Sequence, residues 1–174
     1  MSLLLAASLL LKALAIPLLS WVAWVDLSTQ KIANRDVLLL LCLGLGSLQL
    51  FSAQTGSWWD MGLSAIAGLI LFIALFPFWV MRKVGAGDVK LMAVTPFLIG
   101  GSDLAVFSVL LLVFAIGTAS VAKNPSLLPA VMFRYYAQQM DKKGVVPFGV
   151  PISAAAICII VLQIYSGMLI LIEL

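Results

Sequence analysis

The sequence contains no histidine, only two cysteines and only seven acidic residues. Histidine is the commonest metal ligand and the commonest general base near neutral pH, so chemistry that depends on histidine in either role is excluded. A zinc site needs about four ligands, usually closely spaced. Cys42 and Cys158 instead lie singly inside apolar runs, where we expect small buried hydrophobic residues. We therefore predict no metal and no cofactor.

Charge is scarce as well, because only 10% of the 174 residues are charged and 64% are hydrophobic. A soluble globular domain is about half apolar and about a quarter charged, so this chain is expected to lie in lipid. A membrane-spanning helix needs about 20 apolar residues, and the length allows roughly six. We predict an all-α, polytopic membrane helix bundle with about six transmembrane helices, as a single domain over residues 1–174.

The apolar residues fall into six segments separated by short polar or glycine-rich stretches. The fourth segment is short, so we expect it to be completed by the glycines before it, to tilt, or to sit within the bundle. The predicted segments are residues 3–25, 37–51, 61–81, 89–100, 104–122 and 148–172.

Basic residues are concentrated in alternate loops. Nine of the ten Lys and Arg residues lie in residues 26–36, 82–90 and 123–147, and the intervening loops have none. Basic loops stay on the cytoplasmic side, which predicts that both termini lie outside. The exception is Lys12, which we expect to snorkel to the interface, unless residues 1–12 lie along the membrane surface.

Most of the carboxylates are explained by their position at the ends of apolar segments. Asp36 starts the second segment, where a negative charge favours a helix N-terminus. The residues that we expect to be solvated flanks are Asp60, Asp103, Asp141 and Glu173.

Two carboxylates lie at membrane depth on one predicted face. Asp26 ends the apolar run "WVAWVD", and Asp88 begins "GDVKLMAV". Ionisable groups at this depth are costly, which makes them candidates for function. Two carboxylates in one site cannot both ionise cheaply, so one keeps a proton while the other activates water, as in aspartic proteases. The simpler alternative is that Asp26 caps a helix and Asp88 pairs with Lys90 or Lys31.

The stretch "VGAGDVKL" places two glycines directly before Asp88. Gly85 and Gly87 remove side chains and allow unusual backbone angles, so a peptide could approach the carboxylate closely. An ordinary interhelical turn explains the same glycines. Lys90 is expected to balance local charge or to contact lipid phosphate, with direct tuning of Asp88 as the alternative.

These residues resemble the motifs of the type IV prepilin peptidase family, which are membrane aspartic peptidases. "GAGDVKL" is similar to that family's GxGD motif, and "DLSTQKIANRDVLL" is similar to its first motif. The family's Ile-Pro-Asn is Ile32-Ala33-Asn34 here, and we expect the turn to be looser without the proline. "VPFGVPIS", at residues 146–153, resembles the family's third feature at the start of the last span.

The resemblance implies that Asp26 and Asp88 are the catalytic pair. Its implied substrate is a pilin-like precursor, whose short basic leader is cut at the cytoplasmic face of the inner membrane. The partners implied are this protein substrate and the lipid bilayer, with no nucleic acid. The motif residues expected near the substrate are Gly85, Gly87, Lys90, Asn34, Pro147 and Gly149.

Long members of the family carry a further domain with paired Cys-x-x-Cys motifs that methylates the new N-terminus. This sequence has neither the length nor the cysteines, so we expect cleavage without N-methylation. Short forms of this kind are associated with tight-adherence (Flp-type) pili. Archaeal preflagellin peptidases are a second short branch with which the sequence is compatible.

Two other functions fit the composition. A small proton-coupled membrane carrier would use Asp88 as a relay, with Lys12 as its partner. A structural subunit of a larger membrane assembly would need neither aspartate for chemistry. Both differ from the peptidase in one testable respect, since neither needs a second carboxylate beside Asp88.

Overall fold

The computed structural model describes residues 2–123 and 148–173, and all regular structure in these two ranges is helical. A short 3-10 turn, Gly101–Asp103, joins the fourth and fifth α-helices. The predicted all-α helix bundle is confirmed. The helices are α1 (Ser2–Thr29), α2 (Asn34–Thr55), α3 (Trp59–Val80), α4 (Ala86–Ile99), α5 (Leu104–Lys123) and α6 (Gly149–Glu173).

Five of these helices are long and apolar enough to cross a membrane, and α4 is the exception. Helices α1 and α2 extend beyond the predicted apolar segments at both ends, because polar residues there keep the helical hydrogen bonding. For example, α2 begins at Asn34 and ends at Thr55. It stops there because Gly56 adopts a left-handed conformation with φ of 70°.

Helix α4 occupies the middle of the bundle, where it packs against α2, α3 and α6. Its 14 residues span only about 21 Å. The turn that follows α4 is tied to the start of α3, since the Ser102 N–H donates to Asp60 Oδ1 at 3.2 Å. The fourth segment therefore sits within the bundle, as one of the sequence-based alternatives predicted. Its buried residues are Val89, Leu91, Val94, Thr95, Pro96, Leu98 and Ile99.

Two glycines let the neighbouring helices approach α4 closely. A Cβ added at Gly68 of α3 would lie 2.6 Å from the Ala93 carbonyl oxygen. A Cβ added at Gly44 of α2 would lie 2.8 Å from the Phe97 carbonyl carbon. Small residues at such crossings are the usual basis of close helix packing in membranes, so both sites depend on the absence of a side chain.

The start of α1 and the end of α6 lie together at one end of the bundle, which we call the Asp103 end. Lys12 Nζ donates to Gln163 Oε1 at 2.7 Å, and Gly167 packs against Leu9. The opposite end, where α1 finishes and α4 and α6 begin, we call the Asp88 end. The described chain termini therefore share one face of the bundle, as the charge pattern predicted.

Polar groups at the Asp103 end correct two sequence-based expectations. Lys12 belongs to the continuous helix α1 and is held by Gln163, so residues 2–12 are not a separate surface segment. Asp60 and Asp103 are not simply solvated, because Asp60 accepts a hydrogen bond from Ser102 and Asp103 accepts one from Gln163 Nε2.

The packing of α3 on α4 predicts different effects for two glycines of α3. Gly68→Ala should lower the free energy of unfolding by about 1–3 kcal/mol, because the new methyl group collides with backbone. Gly62→Ala, where nothing lies within 4 Å of the added Cβ, should be neutral or stabilising. Denaturant unfolding of the detergent-solubilised variants measures both, and equal stabilities would contradict the close approach of α3 to α4.

Candidate active site

Asp26 is buried at the Asp88 end of α1, with only 3% of its surface exposed. The Gly149 backbone N–H, at the first residue of α6, donates to Asp26 Oδ2 at 2.8 Å. N–H groups in the first turn of a helix have no partner within the helix, and the third residue, Pro151, has none to satisfy. The start of α6 therefore serves as a donor site for Asp26.

Asp88 is the third residue of α4 and lies half-buried at the same end of the bundle. Asp88 lines a groove together with Phe148, the residue before Gly149, so the start of α6 lies beside both carboxylates. Asp88 also experiences the negative charge of Asp26. Asp26 and Asp88 are brought together because α1 and α4 each pack against α6.

The three motif glycines act by leaving space. A Cβ at Gly149 would lie 2.7 Å from Asp26 Oδ2, and one at Gly85 would lie 2.9 Å from Asp88 Oδ2. A Cβ at Gly87 would lie 2.8 Å from the Ile32 Cβ. Gly87 therefore accommodates the loop after α1, and a role in clearing a path for substrate stays a prediction.

The expectation that Gly85 supplies an unusual backbone angle is also corrected. Its φ of −67° and ψ of 143° are extended values open to any residue. The glycines with positive φ in the described chain are Gly56 and Gly100. The glycine at position 85 is explained by the nearby Asp88 carboxylate and not by strain.

Lys90 and Asn34 are joined by a hydrogen bond, from Lys90 Nζ to Asn34 Oδ1, of 2.8 Å. Asn34 is the first residue of α2 and Lys90 lies in the first turns of α4, so the bond ties the loop after α1 to the helix that carries Asp88. Lys90 was expected to balance charge or to contact lipid. In the residues that the structure describes, it binds the Asn34 amide instead and forms no ion pair with Asp88.

The turn at Ala33 keeps the geometry of the proline that the resemblance would place there. Ala33 precedes α2 with φ of −74° and ψ of 140°. Proline fixes φ near −65°, so the backbone already adopts a proline-compatible conformation. Pro147, the remaining motif residue, lies outside the described residues.

Two features of the site were not predicted from the sequence. The donor at Gly149 is a backbone group, which leaves no residue signature beyond the glycine and the proline of "PFGVP". The second feature is the distance of Lys12 from the aspartates. Lys12 precedes Asp26 by 14 residues of one helix, which is about 21 Å. The predicted partnership of Lys12 with Asp88 is therefore wrong.

The chemistry available at this end is that of paired carboxylates with backbone donors. Within residues 2–123 and 148–173, no group of three or more His, Cys, Asp or Glu side chains is arranged to hold a metal ion. The pair is set among apolar residues, and water held between two carboxylates is a nucleophile that they can deprotonate.

The Lys90–Asn34 hydrogen bond predicts non-additive effects on stability. Lys90→Met and Asn34→Ala should each destabilise the protein, and the double variant should cost less than the sum of both. Because both side chains are exposed, we expect a coupling at the lower end of ~0.5–1.5 kcal/mol. Lys83→Met combined with Asn34→Ala is the control, and it should be additive. Equal coupling in both cycles would show that the bond is not formed in solution.

Comparison with known proteins gives one match. The family model described as the type IV leader peptidase family matches residues 13–122, which is more than half of the chain. No curated protein and no solved structure gives a significant match. The matched range includes Asp26, Asn34 and Asp88, whereas Gly149 lies beyond it. The chain belongs to the type IV leader peptidase family.

Proposed function

We propose that the protein is an aspartic endopeptidase that removes the short basic leader from pilin-like precursors at the cytoplasmic face of the inner membrane. The observation that carries the proposal is that two carboxylates from different helices lie beside the start of α6. The Gly149 N–H donates to Asp26, and Asp88 lines one groove with Phe148, the residue before Gly149. Two carboxylates at one helix start can act on one water. The family supports a peptidase with a protein substrate in a membrane.

Two carboxylates in one apolar site carry one proton between them, because placing two negative charges there is costly. The ionised carboxylate takes a proton from water as the water oxygen attacks the carbonyl carbon of the scissile peptide. The protonated carboxyl group hydrogen-bonds to the carbonyl oxygen in this step. A proton is then delivered to the amide nitrogen, the C–N bond breaks, and a carboxylic acid and an amine leave.

The charge distribution supports a cytoplasmic site. The Asp88 end carries the basic loops, including Lys31, Arg35, Arg82 and Lys83. Loops rich in Lys and Arg remain cytoplasmic, and they also bind anionic lipid at that surface. A leader that ends where a membrane segment begins would meet the carboxylates at this depth.

We further propose that cleavage occurs without N-methylation. The two cysteines, Cys42 on α2 and Cys158 on α6, lie in separate helices and form no Cys-x-x-Cys motif.

Replacing either aspartate should abolish cleavage. Asp26→Asn and Asp88→Asn keep the shape of each side chain but remove its acid–base function, and each should lower leader removal at least 1000-fold. Asp60→Asn at the Asp103 end is the matched control and should remain within twofold of the wild type. The measurement is the change in size of a co-expressed pilin precursor.

The same variants separate the competing functions. Cleavage at the wild-type rate by either Asn variant would rule out a mechanism that uses both carboxylates. A carrier would instead show pH-driven flux in liposomes that depends on Asp88 but not on Asp26. A structural subunit would retain assembly in both variants.

Gly149→Ala tests the space beside Asp26. The backbone donor is retained, but the added methyl group would lie 2.7 Å from Asp26 Oδ2 and displace the carboxylate. We expect at least a tenfold loss of leader cleavage. Gly117→Ala, where the added Cβ has open space, should keep the wild-type rate. An active Gly149→Ala variant would mean that the position of Asp26 against α6 is not needed for the reaction.

A further inference from the structure

A groove of about 480 Å³ opens beside Asp88, between the surfaces of α3, α4, α5 and α6. Helix α5 packs chiefly against α6, and α3 packs chiefly against α4, so these two pairs of helices form opposite sides of the groove. Apart from Asp88, the proposed catalytic steps use none of the residues that line it. Its lining includes Phe78, Met92, Ser108, Leu111, Leu112 and Ala115.

One face of α5 forms a continuous wall of the groove. Ser108, Leu111, Leu112 and Ala115 are spaced by three, one and three residues, which places them on a single side of a helix. From Ser108 to Ala115 this wall is about 10 Å long. A second helix laid against such a wall would contact it over about two turns.

Asp88 stands at one end of this wall. Helices α4 and α5 run in opposite directions from the turn at Gly101–Asp103. Asp88 is 11 residues before Ile99 and Ala115 is 11 residues after Leu104, so both lie about 16 Å from that turn. Ser108 is about 6 Å from the turn. The groove therefore runs from the level of Asp88 into the apolar depth of the bundle.

The lining of the groove determines what can occupy it. Asp88 and Ser108 are its polar side chains, and the remaining lining residues are apolar. A charged or polar segment would lose its hydration there without finding partners, which is unfavourable. An apolar helix would fit, and it would need to carry a peptide bond at its start to engage Asp88.

We propose that this groove binds the first two turns of the apolar segment that follows the scissile bond in a membrane-anchored precursor. This inference rests on the proposed peptidase function and extends it by assigning substrate selection to the α5 face. The groove holds the apolar segment along Ser108, Leu112 and Ala115, and so sets which peptide bond reaches Asp88. Substrates are selected by apolar shape within the bilayer as well as by the leader.

A large side chain that fills the groove tests whether the apolar segment of the precursor binds there. Ala115→Trp places a large ring beside Asp88 and should lower cleavage of a membrane-anchored precursor at least tenfold. Ile116→Trp is the matched control, because the next residue of α5 is 59% exposed and does not line the groove. It should stay within twofold of the wild type. Equal cleavage by the two variants would overturn the proposal that the groove binds the apolar segment, and it would leave the peptidase proposal intact. A wild-type protein that cleaves no precursor would overturn the peptidase proposal itself.

A photocrosslinking experiment does not depend on the folding of the Trp variant. A photoreactive phenylalanine replaces Leu112 in the full chain, which also carries Asp26→Asn so that the bound precursor is not cut. The control replaces Val113, which is exposed to a similar degree but is outside the groove lining.

We expect a crosslink to the start of the precursor's apolar segment from position 112 and none from position 113. Crosslinks from position 112 to residues 124–147 of the same chain, to a second copy, or to lipid alone would each overturn the proposal, because the groove would then have another occupant.

Discussion

The hydrogen bond from the Gly149 N–H to Asp26 is the contact on which the candidate site depends. A carboxylate buried in an apolar bundle is unfavourable unless donors surround it. This chain supplies the donors from the first turn of α6, where backbone N–H groups are free and the helix dipole is positive. Because α4 also packs on α6, the same helix start fixes where Asp88 lies. In the part of the chain that the structure describes, neither acid of the pair forms an ion pair with a basic side chain.

The same pair of helices is joined a second time, at the opposite end of the bundle. Lys12 donates to Gln163, and the two polar links are separated by 14 residues on each helix, from 12 to 26 and from 149 to 163. Fourteen residues are almost four turns, or about 21 Å, so both links lie on the same face of each helix. Antiparallel helices fastened at both ends of one seam cannot slide past one another. The register that sets Gly149 against Asp26 is therefore held from both sides.

The sequence predicts more of the fold than of the site. Long apolar runs and alternating basic loops are sufficient for the helices and for the shared face of Asp26 and Asp88, because lipid imposes both patterns. The contacts between helices were not predictable in this way. Asp26 and Asp88 were expected to meet through neighbouring first and fourth segments, whereas α6 brings them together. Gly85 and Gly87 were interpreted through backbone freedom, although the spaces that they leave are taken by Asp88 and Ile32. Which neighbour a glycine faces depends on tertiary packing, and one residue type cannot specify it.

The arrangement of the helices separates chemistry from selection. The α1–α6 pair is linked at two places and carries the donor, which suits a site that must hold two acids in fixed positions. Helix α5 packs on the outer side of α6 and presents a small and aliphatic face to an open groove. Asp88 belongs to both regions, since it faces Asp26 on one side and lines the groove on the other. A membrane segment lying in that groove would reach the acid pair laterally, from within the bilayer. In the proposed peptidase, a fixed acid pair next to an apolar groove would let the apolar segment of a substrate, together with its leader, determine which bond is cut.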